Sequence, residues 1–173
     1  MVKFEEILEK KCLEAKRSKE RAYICSPLRA DTIEDFMLNM RAAKAYMYYA
    51  LVKMDLPARA PHAFLPMLLC DAVPKERETA LQFGLKLLEM SDTVLVCGNR
   101  ISEGMLGEIA YAAALKKEIR VYEKSILDEV VKIVLDNHGD INKLVYDKNN
   151  RFMSLSGSAV FAESWDSDTS GGE

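Results

Sequence analysis

The chain has 173 residues, is 49% hydrophobic and 29% charged, and carries a formal net charge of −3 with a pI near 5.6. These values describe one globular domain able to bury a real core, and they exclude a globally basic surface for nucleic acid. No apolar run approaches the roughly 20 residues of a membrane helix, and the charged, periodic start MVKFEEILEKK is unlike a signal peptide, so a cytoplasmic protein is expected.

Residues 4–20 read as an amphipathic helix with Phe4, Ile7, Leu8 and Cys12 on one face. AYICSPL (22–28) reads as a short apolar strand stopped by Pro27. Asp31 is the expected N-cap of the next helix, with Glu34 as its capping-box partner. That helix runs to about Lys53, with Phe36, Met40, Ala43, Met47 and Leu51 as its buried stripe. The Met and Tyr content of AYMYYALVKM is read as core packing rather than a cofactor box. Its apolar excess is more than one helix face needs, which predicts a homo-oligomer, a dimer or a dimer-based tetramer.

ARAPHAFL, bracketed by prolines, predicts a second strand, and LPMLLCDAVPKE a loop. A helix is expected over 75–90, entered at Pro74, a residue tolerated in the first turn. TVLVCG (93–98) is the clearest strand; a helix at 102–117 and the strand EIRVYE follow it. ILDEVVKIVLDN predicts a helix ended by Gly139, RFMSLSGSAVFAESW a late strand or loop, and DSDTSGGE a mobile acidic tail. Alternating helices and doubly apolar strands define an α/β class: a flavodoxin-like, Rossmann-type open parallel sheet of about five strands with helices on both faces. The cysteines Cys12, Cys25, Cys70 and Cys97 match no metal spacing and read as buried free thiols.

Ligands of open α/β sheets bind at the carboxyl ends of the strands. Here those ends carry CSPLRAD, PHAF and CGNRISEGMLGE, which places Ser26, Pro27, Leu28, Arg29, His62 and Asn99 around one crevice. Ser102 is placed to cap the helix, leaving free amides at Glu103, Gly104 and Met105 for an anion. Glu108 lies four residues after Gly104, so its carboxylate is expected over that open position, kept ionised by the helix N-terminus. An ionised carboxylate there suits a nucleophile at a sugar carbon, and equally a surface or salt-bridge residue.

SEGMLGEIAYAAALKK after a D-x-V-L-V strand resembles the nucleoside 2-deoxyribosyltransferase superfamily. Residues 22–123 resemble a bacterial and phage branch of it, through Ser26-Pro27, Ala60-Pro61-His62, Pro74 to Leu88 and Ile101 to Ile109. The chain then divides into an N-terminal helix (1–21), a deoxyribosyltransferase-like domain (22–138) and a C-terminal extension with acidic tail (139–173). The resemblance implies either deoxyribosyl transfer between bases or hydrolysis of 2'-deoxynucleoside 5'-monophosphates, with Glu108 as nucleophile. Ser102 matches the hydrolase, where a carboxylate would repel a phosphate. Arg29 falls in the hydrolase's phosphate loop, and His62 where it has a His on its second strand. Both activities also use an Asp on the helix before the central strand; the aligned residue is Gly84, with Gln82 and Glu78 near it. Asp71 is the other candidate for acid or base work. The alternative is a nucleotide binder, a sponge or sensor that does not cleave. The resemblance implies a nucleotide or nucleoside ligand and no metal or organic cofactor; the charge and the short apolar runs lead to the expectation of no nucleic acid polymer and no membrane. The resemblance also implies pockets completed by a neighbouring subunit, for which 151–165, with Phe152, Phe161 and Trp165, is the candidate.

Overall fold

The computed structural model describes residues 6, 7, 9–11, 13, 20–160 and 162. Of the expected N-terminal helix, residues 6, 7, 9–11 and 13 are helical. Phe4, Leu8, Cys12, Phe161, Trp165 and the acidic tail lie outside the described residues.

The elements run β1 (Ala22–Cys25), α1 (Ile33–Lys53), β2 (Ala58–Arg59), α2 (Pro74–Glu89), β3 (Thr93–Val96), α3 (Glu103–Ala114), β4 (Glu118–Val121), α4 (Lys124–Asp136) and β5 (Leu144–Tyr146). The five strands form one parallel sheet in the order β2-β1-β3-β4-β5, the flavodoxin-like arrangement. β1 and β3 are wholly buried, which is why their sequences are continuously apolar instead of alternating. Two apolar layers result. Tyr23, Cys25, Val94 and Val96 face α2, α3 and α4 through Leu88, Met105, Ile109 and Val130. Ile24, Leu95, Cys97 and Tyr122 face α1 through Ala43, Tyr46 and Ala50, together with Met153 and Val160.

Several expectations shift. The cap of α1 is Thr32, not Asp31: its hydroxyl accepts the Asp35 amide at 3.1 Å. The buried stripe of α1 is Met40, Ala42, Ala43, Tyr46 and Ala50, while Phe36, Met47 and Leu51 are only half-buried. β2 is shorter than expected, because Pro61 turns the chain into a 3-10 segment, Pro61–Ala63. A second such turn, Leu65–Met67, interrupts the expected loop. The fifth strand is Leu144–Tyr146, inside the stretch read as an extension. Of the segment read as a late strand or loop, Arg151–Ser154 is a 3-10 turn and 157–160 are helical, so its described residues form no strand.

That C-terminal segment packs onto α1 of the same chain. Phe152 stacks on Tyr49 with ring centroids 4.6 Å apart, and the Tyr46 hydroxyl donates to the Leu155 carbonyl. Part of the apolar excess of α1 is therefore covered from within the chain. Cys25 and Cys97 are buried free thiols as expected, but Cys70 is exposed.

Candidate functional site

β1 and α3 build the centre of the site. Ser102 caps α3, accepting the Met105 amide at 3.3 Å. The Met105 amide, expected to be free for an anion, is thus taken by the cap, and the Met105 side chain is core. Glu103 and Gly104 remain exposed at the helix start, and a side chain at Gly104 would meet nothing within 4 Å. Glu108 therefore does not lie over Gly104. It turns inward toward the sheet, where the Tyr23 hydroxyl donates to Oε1 at 2.7 Å.

The electrostatics follow from that inward turn. Burial pushes the Glu108 carboxyl up to about 7, although hydrogen bonds from Tyr23 and Cys25 pull it down. The expectation of a firmly ionised carboxylate is corrected: near neutrality Glu108 exchanges its proton. Burial and the neighbouring Glu108 push Tyr23 and Cys25 well up, so both remain protonated donors. The Cys25 thiol sits 3.9 Å from the Met105 carbonyl, at the foot of α3.

Gly84 is buried on α2 against this centre. A side chain there would start 3.4 Å from the Tyr23 hydroxyl and 3.6 Å from Pro61 Cγ. The position aligned with the missing Asp thus borders the donor to Glu108. Glu78 is exposed on the same helix and does not take its place.

Next to Pro61, His62 is buried and 2.8 Å from the Ser26 hydroxyl, so the ends of β1 and β2 meet through side chains. His62 lies in the turn after β2 rather than on the strand. Burial lowers it to about 4, which leaves it neutral at physiological pH.

Arg29 and Asp71 lie farther out. Arg29 Nη2 donates to Asp71 Oδ2 at 3.1 Å, and Arg77 Nη1 approaches the same oxygen at 3.8 Å. Asn39 donates to the Leu28 carbonyl and Arg100 to the Arg29 carbonyl, which fixes the loop after β1. Pro27 and Asn99 line a small cavity of about 50 Å³ with Tyr46, Gly98 and Leu155. Gly98 has φ +94°, and a side chain there would press on Pro27 at 3.2 Å, so glycine is required at this turn. Glu108 is not among the residues lining this cavity.

The structure thus joins Glu108, Tyr23 and Gly84 with Pro61, His62 and Ser26, and leaves Arg29 and Asp71 at the surface. Sequence reasoning missed Tyr23, Arg59 and Arg77. Alternation along AYIC was the available signal for Tyr23, because it puts Tyr23 and Cys25 on one sheet face. Arg59 stands in register beside Tyr23, and its Nη1 is buried without a partner among the described residues. No group of His, Cys, Asp and Glu side chains suited to a metal ion occurs among the described residues. No described helix is long and apolar enough to cross a membrane.

These features define a flavodoxin-like α/β domain with a proton-exchanging carboxylate held at its central strands. Residues 20–122, more than half of the chain, match the family described as a domain of unknown function, DUF7768, and the chain belongs to that family. The match takes in β1 to β4 and stops before α4 and β5. No curated protein matches the chain.

Proposed function

We propose that the protein cleaves or exchanges the N-glycosidic bond of a nucleoside phosphate, with Glu108 as nucleophile. The observation that carries this reading is the inward Glu108 carboxylate, held by Tyr23 at 2.7 Å and poised near neutral pH. The resemblance of residues 102–117 to deoxyribosyltransferases supports it. A Glu108 oxygen would bond to the anomeric carbon as the C–N bond breaks and its electron pair leaves with the base, which takes up a proton. Water, or the nitrogen of a second base, would then displace the carboxylate and lose a proton. Tyr23 would hold the carboxylate in line and stabilise its charge between the steps. Arg29, Ser102 and the Glu103 and Gly104 amides would face the phosphate.

A second reading, binding without cleavage, is favoured by Gly84. No acid stands at that position, and His62 is neutral, so neither of them protonates the leaving base. Free base measured by chromatography after incubation with deoxynucleosides and their 5'-monophosphates separates the two. Release of base supports the enzyme. A thermal shift with nucleotides but no base from any of them supports the binder. Gly84→Asp would then be expected to raise base release.

The assembly we propose is a homo-oligomer of cytoplasmic chains. Met67, Leu68, Leu81 and Phe83 are exposed large apolar residues that a second copy could cover. A monomer in light scattering at micromolar concentration would refute it.

A further inference from the structure

A separate cleft opens at the carboxyl ends of β4 and β5. Its volume is about 650 Å³, within the span of small-molecule sites, roughly 300–1,000 Å³. Tyr122, Glu123, Tyr146, Lys148, Asn149, Arg151 and Ser154 line it. Tyr122 belongs to the core on the α1 side of the sheet, whereas Glu108 packs with Tyr23 and Cys25 on the other face. The cleft is therefore not an arm of the Glu108 site.

Its polar groups are unevenly committed. Glu123 accepts the Ser125 amide at the start of α4. Asp147, beside the cleft, accepts the Asn149 amide at 3.0 Å and the Asn150 side chain. Both carboxylates thus have internal work. Lys148 and Arg151 are exposed, and neither makes an ion pair among the described residues. Tyr122 is only 4% exposed, and its hydroxyl is buried with no hydrogen-bond partner among the described residues. A buried hydroxyl left unpaired costs stability, so folded proteins rarely keep one that nothing ever satisfies.

We propose that this cleft is a second binding site, for a small phosphate-bearing molecule. A phosphate has three terminal oxygens and close to two negative charges. It can engage Lys148, Arg151 and the neutral donor of Asn149 together, and take the covered Tyr122 hydroxyl as a further donor after a small side-chain shift, where a lone carboxylate is satisfied by one fork-like partner. Tyr146, 39% exposed at the end of β5, offers a ring face to whatever carries the phosphate. The site does not depend on the Glu108 reading.

The test is calorimetric titration of the full chain with inorganic phosphate and with a nucleoside 5'-monophosphate. It compares the wild type with Lys148→Ala, Arg151→Ala, Tyr122→Phe and Arg29→Ala. Arg151→Ala should weaken phosphate binding about ten- to a hundred-fold, and Lys148→Ala by a smaller factor. Tyr122→Phe should weaken it several-fold while leaving Tm unchanged or higher, because the hydroxyl it removes has no partner in the protein. Arg29→Ala, which removes the phosphate contact proposed for the Glu108 site, should leave intact the part of the phosphate isotherm that Arg151→Ala weakens. Tighter binding of the monophosphate than of inorganic phosphate in Arg29→Ala would assign the cleft an organic phosphate; equal binding would assign it the free anion. Phosphate affinity untouched by both Arg151→Ala and Lys148→Ala would overturn the site. So would a phosphate-soaked crystal with only water at Tyr122, or a clear fall of Tm in Tyr122→Phe.

Discussion

Two carboxylates near the head of the sheet have partners at similar distances and opposite surroundings. Tyr23 donates to half-buried Glu108 at 2.7 Å, and Arg29 to Asp71 at 3.1 Å on the surface. Burial pushes Glu108 up to about 7. The side chains of Arg29 and Asp71 are each 54% exposed, and a pair so placed is worth about 0–1 kcal/mol. Desolvation, not partner distance, sets Glu108 apart, and under the proposed function it is what would make that carboxylate the reagent. The exposed pair leaves Arg29 weakly held, so that under the proposed function a phosphate would replace Asp71.

The largest expected effect breaks the Tyr23–Glu108 pair. Tyr23→Phe removes a hydrogen bond to a charged group, worth about 1.5–3 kcal/mol. The pH midpoint of base release should therefore move up by roughly one to two units, with slower turnover at neutral pH. An unmoved midpoint would show that Tyr23 does not govern Glu108.

Stability against pH sharpens the same contrast. Glu108 has a raised value in the folded state, so the fold holds its proton longer than the unfolded chain. Its contribution falls as pH rises from 4.5 to about 7, by up to on the order of 3 kcal/mol. His62 is lowered from 6.5 to about 4, so the unfolded chain binds the proton first and stability falls as pH drops through that window. The two slopes oppose each other over most of their range. Urea unfolding should therefore show Glu108→Gln gaining on the wild type between pH 5 and pH 7.5. Parallel curves would mean that Glu108 is not desolvated.

The smallest effects belong to the exposed pair. Arg29→Ala should weaken binding of a nucleoside monophosphate at this site about ten- to a hundred-fold and leave the nucleoside unaffected. Asp71→Asn should change unfolding free energy by less than about 1 kcal/mol and tighten the monophosphate a few-fold. Loss of turnover in Asp71→Asn with binding intact would instead make Asp71 a proton-transfer group.

The sheet was legible because TVLV and AYIC are buried on both sides and so appear as unbroken apolar runs. The Ser102 cap was legible because capping is local chemistry. LVY was missed as a strand: it is three residues long at an edge and mostly exposed, so burial left little mark on its sequence. The direction of Glu108 was misjudged for a related reason. Helix spacing put it over Gly104, but Tyr23, 85 positions away in sequence, draws it inward. Local pattern fixes which residues share a helix face; which neighbour captures a side chain depends on contacts between distant segments.

Glu108→Gln tests the central claim most directly. The substitution keeps size and hydrogen bonding to Tyr23 and removes the charge and the nucleophilic oxygen. Chromatography of base released from 2'-deoxynucleoside 5'-monophosphates, wild type against variant, is the measurement. The account predicts release by the wild type and none by a folded Glu108→Gln protein that still binds the nucleotide. Base release retained by the variant would contradict it.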